Sequence, residues 1–442
     1  MSSVIHVLRR MRSRAFSWSC LGSLLLAAHV TAGSAQTLSF HDAMAHALQE
    51  SPSLRADEAR IESARQLLTP ASELPDPTLT FGIDNLPLEG RDRFQLNSDL
   101  MTMRRIGISQ AFPNRAKREA DLAMADQQLS VTRASKEETE LRVLQQAGTG
   151  WVQRYSIERQ LALVDVMLNE NALLQQALAA SLANGGSRPI DSITARQEAA
   201  ALANQRDQLQ QLREQAIAQL RPLLGAEAEA PLAGEPPAWP VDAAQLLSGS
   251  HQHAELAALA PRLELLSAEI QRANADKKPD WALSVGYANR GNQFSDMLML
   301  QVSVDLPLFA GNRQNPRIAA KHAERNALEA DIESLRRNHN SMIESDLARY
   351  AQLQRRITRQ QNELLPLARE KRDLLTAAWR ANEGDLSELI NARLALLGEE
   401  LTLVTLEQEQ ALLNITLHLA YNSPQIQQQL QLPNDPQDSH HE

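Results

Sequence analysis

The sequence predicts a mainly helical protein that also contributes a few long membrane-type β-strands, the whole arranged as an internal duplication. Three observations carry that expectation. Only 17 glycines and 20 prolines punctuate 442 residues, and aromatic residues make up 4% of the chain. The rest is rich in Ala, Leu, Gln, Glu and Arg, the composition of long helices and not of aromatic-centred globular cores. Long proline-poor stretches end at glycine-containing breaks, and pairs of strictly alternating segments stand just before them. Both features recur about 200 residues later.

The first 35 residues read as an address. Residues 1–14 are basic, Leu21 to Val30 is mostly apolar, and Thr31-Ala32-Gly33-Ser34-Ala35 offers the small residues that a signal peptidase cleaves after. The apolar stretch is too short to span a bilayer as a helix. With Arg9, Arg10, Arg12 and Arg14 set aside, the remainder carries 40 basic against 54 acidic residues. That balance argues against nucleic-acid binding. The single cysteine, Cys20, precedes the apolar segment, so it is badly placed for lipidation and leaves with the signal. A mature chain without cysteine has neither a disulfide framework nor a thiolate metal cluster.

From Asn114 to Arg188 there is no proline, and a helix over 114–182 would be roughly 100 Å long. The run Ala183-Asn184-Gly185-Gly186 marks a hairpin tip, after which a second helix spans Asp191 to Leu224. Leu161, Leu168 and Leu182 keep a seven-residue step, as do Leu202, Leu209 and Leu223. That spacing is the mark of coiled-coil packing. The pattern recurs in a helix over Arg317 to Arg380, with Pro366 as its kink candidate, and a break at Ala381-Asn382-Glu383-Gly384. The returning helix runs from Asp385 to about Tyr421 and carries Leu389, Leu396, Leu403 and Leu417.

The alternating pairs are 78–84 with 101–112, and 281–288 with 297–308. In the last of these Leu298, Leu300, Val302, Val304, Leu306 and Leu308 share one face, opposite Met297, Met299, Gln301 and Ser303. Strict period-2 alternation over about a dozen residues is the signature of a long strand, suited to a membrane barrel and equally to a sandwich. Matching landmarks relate the two halves. Leu74-Pro75-Asp76-Pro77 echoes Lys278-Pro279-Asp280-Trp281, Met101-Thr102-Met103 echoes Met297-Leu298-Met299, Phe112-Pro113-Asn114-Arg115 echoes Phe309-Ala310-Gly311-Asn312-Arg313, and Ala195-Arg196 echoes Ala392-Arg393. Each repeat is therefore strand, strand, long helix, tip, long helix. The expected organisation is a signal peptide at 1–35, a first repeat at 36–224 with its hairpin over 114–224, and a Pro-rich linker or equatorial segment at 225–250. A second repeat at 251–421 follows, with its hairpin over 314–421, and then a disordered tail at 422–442. Four strands cannot close a barrel, and an open edge in lipid leaves amides unpaired. If the strands span a membrane, several copies must close one barrel together, and three would give twelve strands.

With these residues in view, the chain resembles the TolC-like outer-membrane efflux proteins over almost all of its mature length. The likeness rests on the duplicated strand–strand–hairpin order, Leu74-Pro75-Asp76-Pro77, the strand ends Phe112-Pro113 and Pro307-Leu308-Phe309, and the Asn-Gly tips. Gly82-Ile83-Asp84-Asn85-Leu86-Pro87 and Met101-Thr102-Met103-Arg104-Arg105-Ile106-Gly107 are similar to the heavy-metal cation branch that includes CzcC and CusC. The resemblance implies a homotrimer in the outer membrane of a Gram-negative bacterium, with a 12-stranded β-barrel and a periplasmic α-barrel tunnel. It also implies docking by the helical tips to a periplasmic adaptor (membrane fusion protein) and an inner-membrane RND pump, with no cofactor and no nucleic acid. Many members of the metal branch are lipoproteins, whereas here no cysteine follows the apolar segment.

In that family acidic residues near the second tip constrict the tunnel. The matching positions are Asp385 and Glu388, with Asn391 one turn further and Asp191 at the first tip. Three copies of an acidic pair around one axis would bind cations and select charge, although acids in a first helical turn also simply cap it. Met101, Met103, Met297 and Met299 fall on the polar side of the alternating segments, facing the lumen, where thioethers suit soft cations. Methionine is also a common gap-filler. His251-x-His253 and His440-His441 lack a third ligand, so no metal site is assigned. No nucleophile motif or phosphate loop appears, so an enzyme is not expected. The leading reading is a passive exit duct for metal cations. A drug or organic-solute efflux duct or a secretion duct of the same fold, and a periplasmic coiled-coil adaptor or scaffold, are the alternatives.

Overall fold

The computed structural model describes residues 37–183, 187–248, 253–292, 294–381 and 383–421. The expected signal peptide, the tip residues Asn184, Gly185, Gly186 and Asn382, His251, and the tail with His440-His441 lie outside them.

Strand β1 (Leu38–Ser39) leads into α1 (Phe40–Glu50), α2 (Pro52–Gln66) and the short α3 (Leu68–Ser72). Ser39 closes a capping box with Asp42 at the start of α1, satisfying two amides that the first turn leaves free. Strands β2 (Thr78–Asp84) and β3 (Met103–Phe112) follow, then the 69-residue helix α4 (Arg115–Ala183) and its return, α5 (Pro189–Leu224). Beyond them come a 3-10 turn at Gly225–Glu229, β4 (Leu232–Ala233), α6 (Ala243–Ser248), α7 (Ala254–Ala257) and α8 (Leu259–Ala275). Strands β5 (Trp281–Asn289) and β6 (Met297–Val304) precede α9 (Gln314–Arg359), α10 (Leu365–Arg380) and α11 (Leu386–Ile415).

The strand bounds differ from the alternation in particular places. β3 begins at Met103, because Met101 sits in a bend where its amide donates to Asp99 Oδ1 (2.6 Å) and its carbonyl accepts from Asn85 Nδ2 (3.3 Å). β5 runs one residue past 288, to Asn289. β6 ends at Val304 instead of 308, since the chain turns at Leu306, whose carbonyl accepts the Leu308 amide. The kink expected at Pro366 is a π-turn at Gln360–Leu364 just before it. A proline cannot donate back along the helix, and a widened turn takes up the misfit. A second π-turn, Thr416–Ala420, ends the last helix. The helices ahead of each strand pair, α1–α3 and α7–α8, were not foreseen and enlarge the repeat. Nor is the 225–250 segment a plain linker, for β4 pairs in parallel with β1.

The main core gathers where these pieces meet the long helices. Phe40, Met44, Val143, Leu144, Trp151, Leu220 and Ile415 are buried together. Gly150 lets α5 approach α4 here. A Cβ on it would lie 2.6 Å from a methyl of Leu220, which is itself fully buried. Further along the hairpins, Val164, Met167, Leu202, Leu209 and Leu397 form a seam joining α4, α5 and α11, the heptad contact that the leucine spacing implies. The four-stranded sheet has the order β2-β3-β5-β6, antiparallel throughout. β2 and β6 are its open edges.

Candidate functional site

Register decides which side chains share a face of the sheet. Phe81 stands opposite Ile106, Ile106 opposite Tyr287, and Tyr287 opposite Leu298. Two residues along, Leu79, Ile108, Val285 and Leu300 make the next row. Directly paired residues point the same way, so these rows form one apolar face. It is bare: Phe81 is 83% exposed, Leu298 77% and Leu300 72%. A soluble sandwich would bury such a face against a second sheet, yet among the described residues no other element covers it. Phe112 stacks on Trp281 at 4.1 Å at the helix-proximal end, and Tyr287 lies toward the far end. Six residues of strand separate the two levels, about 20 Å at 3.3 Å per residue. Aromatic side chains edge the apolar band of outer-membrane barrels at a similar height.

The other face carries Thr80, Gly82, Arg105, Gly107, Ser109, Ser284, Gly286, Gln301 and Ser303. Met103, Met297 and Met299 fall on this face with them, whereas Met101 lies outside the ladder. A Cβ on Gly286 would sit 3.5 Å from Met299 Cε, so the thioether lies over the glycine. Arg105 pairs with Asp84 at 3.3 Å. One face is thus apolar and the other polar or small, and the hairpins continue from the sheet.

A polar knot ties the sheet to the helices. Asp280 Oδ1 accepts from the Asn114 amide (2.7 Å) and from Asn114 Nδ2 (2.9 Å), and Asp280 Oδ2 accepts from Lys117 Nζ (3.0 Å). Asn114 Oδ1 in turn caps α4 by accepting the Lys117 amide at 2.9 Å. Burial alone would raise the Asp280 carboxyl, but the bonds from Asn114 and Lys117 outweigh it and hold the carboxyl below its usual range.

The hairpin tips bring the two sequence-predicted acids Asp191 and Asp385 together through a residue not foreseen, Arg188. Its guanidinium donates to Asp191 Oδ1 at 2.9 Å and to Asp385 Oδ1 at 2.8 Å. Asp191 is buried and accepts the Arg188 amide, while Asp385 is the N-cap of α11 and accepts the Ser387 amide at 3.2 Å. The Ser387 amide, with Arg188 beside it, pulls the Asp385 carboxyl below its usual range. Glu388 and Asn391 are exposed, and no ion pair among the described residues reaches Glu388. The capping role is therefore real for Asp191 and Asp385. An arginine after a glycine run carries no pattern of its own, so only the fold reveals it.

Above the tips lies a buried polar layer. Asn171 Nδ2 donates to Glu198 Oε2 (2.6 Å), and Arg393 approaches Glu198 at 3.9 Å and Glu170 at 3.5 Å. Burial raises the Glu198 carboxyl although Arg393 opposes it. A polar layer in an apolar seam penalises sliding of α4, α5 and α11 past one another. His253 and His339 make a separate buried pair, Nδ1 to Nδ1 at 3.0 Å, with Glu255 on His339 Nε2 at 2.9 Å. Among the described residues no group of three His, Cys, Asp or Glu side chains is arranged to hold a metal ion. No helix among them is long and apolar enough to cross a membrane.

No family model and no curated protein sequence matches the chain. Its fold matches solved outer-membrane channels. A CusC structure superposes with a TM-score of 0.72 at 17% identity, covering 86% of this chain and 91% of that one. VceC of Vibrio cholerae gives 0.70 at 20%, covering 86% and 95%, and the CmeC channel of Campylobacter jejuni gives 0.71 at 11%, covering 89% and 90%.

Proposed function

We propose that this chain is the outer-membrane exit duct of a tripartite efflux system. In this reading three copies assemble, each donating four strands to one barrel and two helical hairpins to one periplasmic tunnel. The bare apolar face of the β2-β3-β5-β6 sheet carries the proposal. It has the length, alternation and aromatic ends of a lipid-facing surface, and the open edges at β2 and β6 require partners in lipid. Catalysis has no part in it: the duct is passive, and a proton-driven RND pump with a periplasmic adaptor at the tips would supply direction and work. For the cargo, the runs resembling the metal branch and the thioethers of Met103, Met297 and Met299 on the polar face favour heavy-metal cations, since soft donors suit soft ions.

Extraction tests the placement. The chain should stay with outer-membrane fractions through high-salt washing and leave only with detergent. Release by salt alone would instead identify a periplasmic scaffold.

The tips supply the gate in this reading. Asp385 and Glu388 lie three residues apart on one helix face, and threefold symmetry sets six carboxylates near the axis. Arg188 offsets part of that charge within each chain. Replacing both acids with alanine should relieve block by divalent cations in planar bilayers and reduce cation selectivity, with the oligomer intact. Because the folded-state pKa of Asp385 is depressed, its contribution is present above the ordinary carboxylate range and is lost as pH falls through the lowered value. Divalent block should therefore persist through mildly acidic pH. Unaltered block in a correctly assembled double variant would remove these acids from the gate.

A further inference from the structure

The polar face of the β2-β3-β5-β6 sheet is almost free of charge. Reading the strands by register, its positions hold Thr, Ser, Gly, Ala, Gln and Met, with two exceptions, Asp84 on β2 and Arg105 on β3. β5 and β6 put no charge on this face at all. The two exceptions meet, since Arg105 Nε lies 3.3 Å from Asp84 Oδ2. Arg104 stands on the opposite face, where Asn97 Oδ1 and Asn289 Oδ1 accept from its guanidinium at 3.1 and 2.7 Å.

The surroundings of Arg105 leave its charged end unobstructed. Directly opposite it are Gly82 on β2 and Ala288 on β5. A Cβ on Gly286 would lie 3.9 Å from Arg105 Cδ, so the aliphatic stem rests along a wall of small residues. The pair sits at the end of the sheet away from the hairpins, one residue beyond the row of Ile106 and Tyr287. Side-chain exposure is 43% for Arg105 and 29% for Asp84. An ion pair this open to water adds little stability, so its main effect is on the charge that the face presents.

We propose that Asp84 determines the ion selectivity of the outer mouth of the barrel, by cancelling the charge of Arg105 in each copy so that cations can leave. This rests on the channel reading, in which the polar face lines the lumen and three copies surround it. Without Asp84, three guanidinium groups would ring the exit, and no other charge on the strands would offset them. Rings of like charge in a pore decide which sign of ion passes. With the pair intact the strand lining is neutral, and selection for cations is left to the acids at the hairpin tips.

Reversal potentials across planar bilayers under a potassium chloride gradient test the assignment. They are read in the chain carrying Asp385→Ala and Glu388→Ala, so that the tips do not mask the barrel. Asp84→Asn should move the reversal potential toward that of chloride, with a severalfold fall in the cation-to-anion permeability ratio. Arg105→Gln should move it the other way, and the two together should return it close to the starting value. The Debye length is about 30 Å at 0.01 M salt and about 3 Å at 1 M. The shifts should therefore be plain at low salt and vanish at high salt. Unchanged selectivity in conducting channels would make the pair only a staple of the β2-β3 hairpin, overturning its role at the mouth while the channel reading stands. Shifts that persist at 1 M, or that run the same way in both single variants, would come from distortion of the barrel and overturn that role too. If Asp84→Asn fails to assemble, Arg105→Gln decides alone, and the absence of a shift toward potassium sinks the assignment. No conductance from the unaltered chain overturns the channel reading itself, and the role of Asp84 with it.

Discussion

Arginine at Leu300, which stands beside Val285, should destabilise the membrane-inserted protein by about 2–4 kcal/mol. Two rows outward, arginine at Val304 should cost about 1 kcal/mol or less, because Val304 pairs with Trp281 in the aromatic row that edges the apolar band. Arginine at the adjacent Ser303 should be tolerated. The contrast follows from register alone. Val304 pairs with Trp281 and shares its apolar face, whereas Ser303 pairs with Ala282 on the face of Ser109 and Ser284. A guanidinium at 300 must lie in hydrocarbon, one at 304 can snorkel away from it, and one at 303 enters water. Unfolding from detergent or lipid measures the difference. Thiol labelling in a chain otherwise free of cysteine checks it, since an impermeant reagent should modify position 303 faster than 304. The opposite order would reverse the faces.

Trp151→Ala should cost about 3–5 kcal/mol, the range for deleting a large buried aromatic side chain. Trp151 is fully buried. Its ring meets the edge of Phe40 at 5.6 Å and stacks on Tyr155 at 5.3 Å, and its Nε1 donates to the Leu38 carbonyl at 3.1 Å. One side chain therefore joins β1 and α1 to the middle of α4. Trp151→Phe should recover most of the packing but leave the Leu38 carbonyl without that donor, so its loss should fall between wild type and alanine. Chemical unfolding followed by far-UV circular dichroism gives the order. A change below about 1 kcal/mol for alanine would mean that the collar around α1 does not support the helices.

The two tip acids, Asp191 and Asp385, show how local pattern and fold divide the evidence. Asp385 directly after Gly384 announces a helix start in any context, and the structure finds it capping α11. Arg188 has no such announcement, yet it is the group that joins the first tip to the second. The Asn171–Glu198–Arg393 layer escaped for the same reason. Charged residues in a heptad pattern read as a solvated face, and only the packing of α4, α5 and α11 makes them buried. The helices before each strand pair were missed because α1 and α2 are short and α2 is largely polar, which blurs the apolar stripe that identifies a helix.

What the sequence by itself determined is periodic and local. Strict alternation settled which strand residues share a face, because side chains on a strand alternate without exception. Leucine spacing and the scarcity of Pro and Gly between tips dictated long hairpins, and matched landmarks dictated the duplication. Only the tertiary structure decided which strands are neighbours, that β3 and β5 join the repeats, and that β2 and β6 remain open. Pairing of this kind links residues as far apart as Phe112 and Trp281, and no local period encodes it. It depends on which amides find partners once α4, α8 and the knot at Asp280 have brought the strands together.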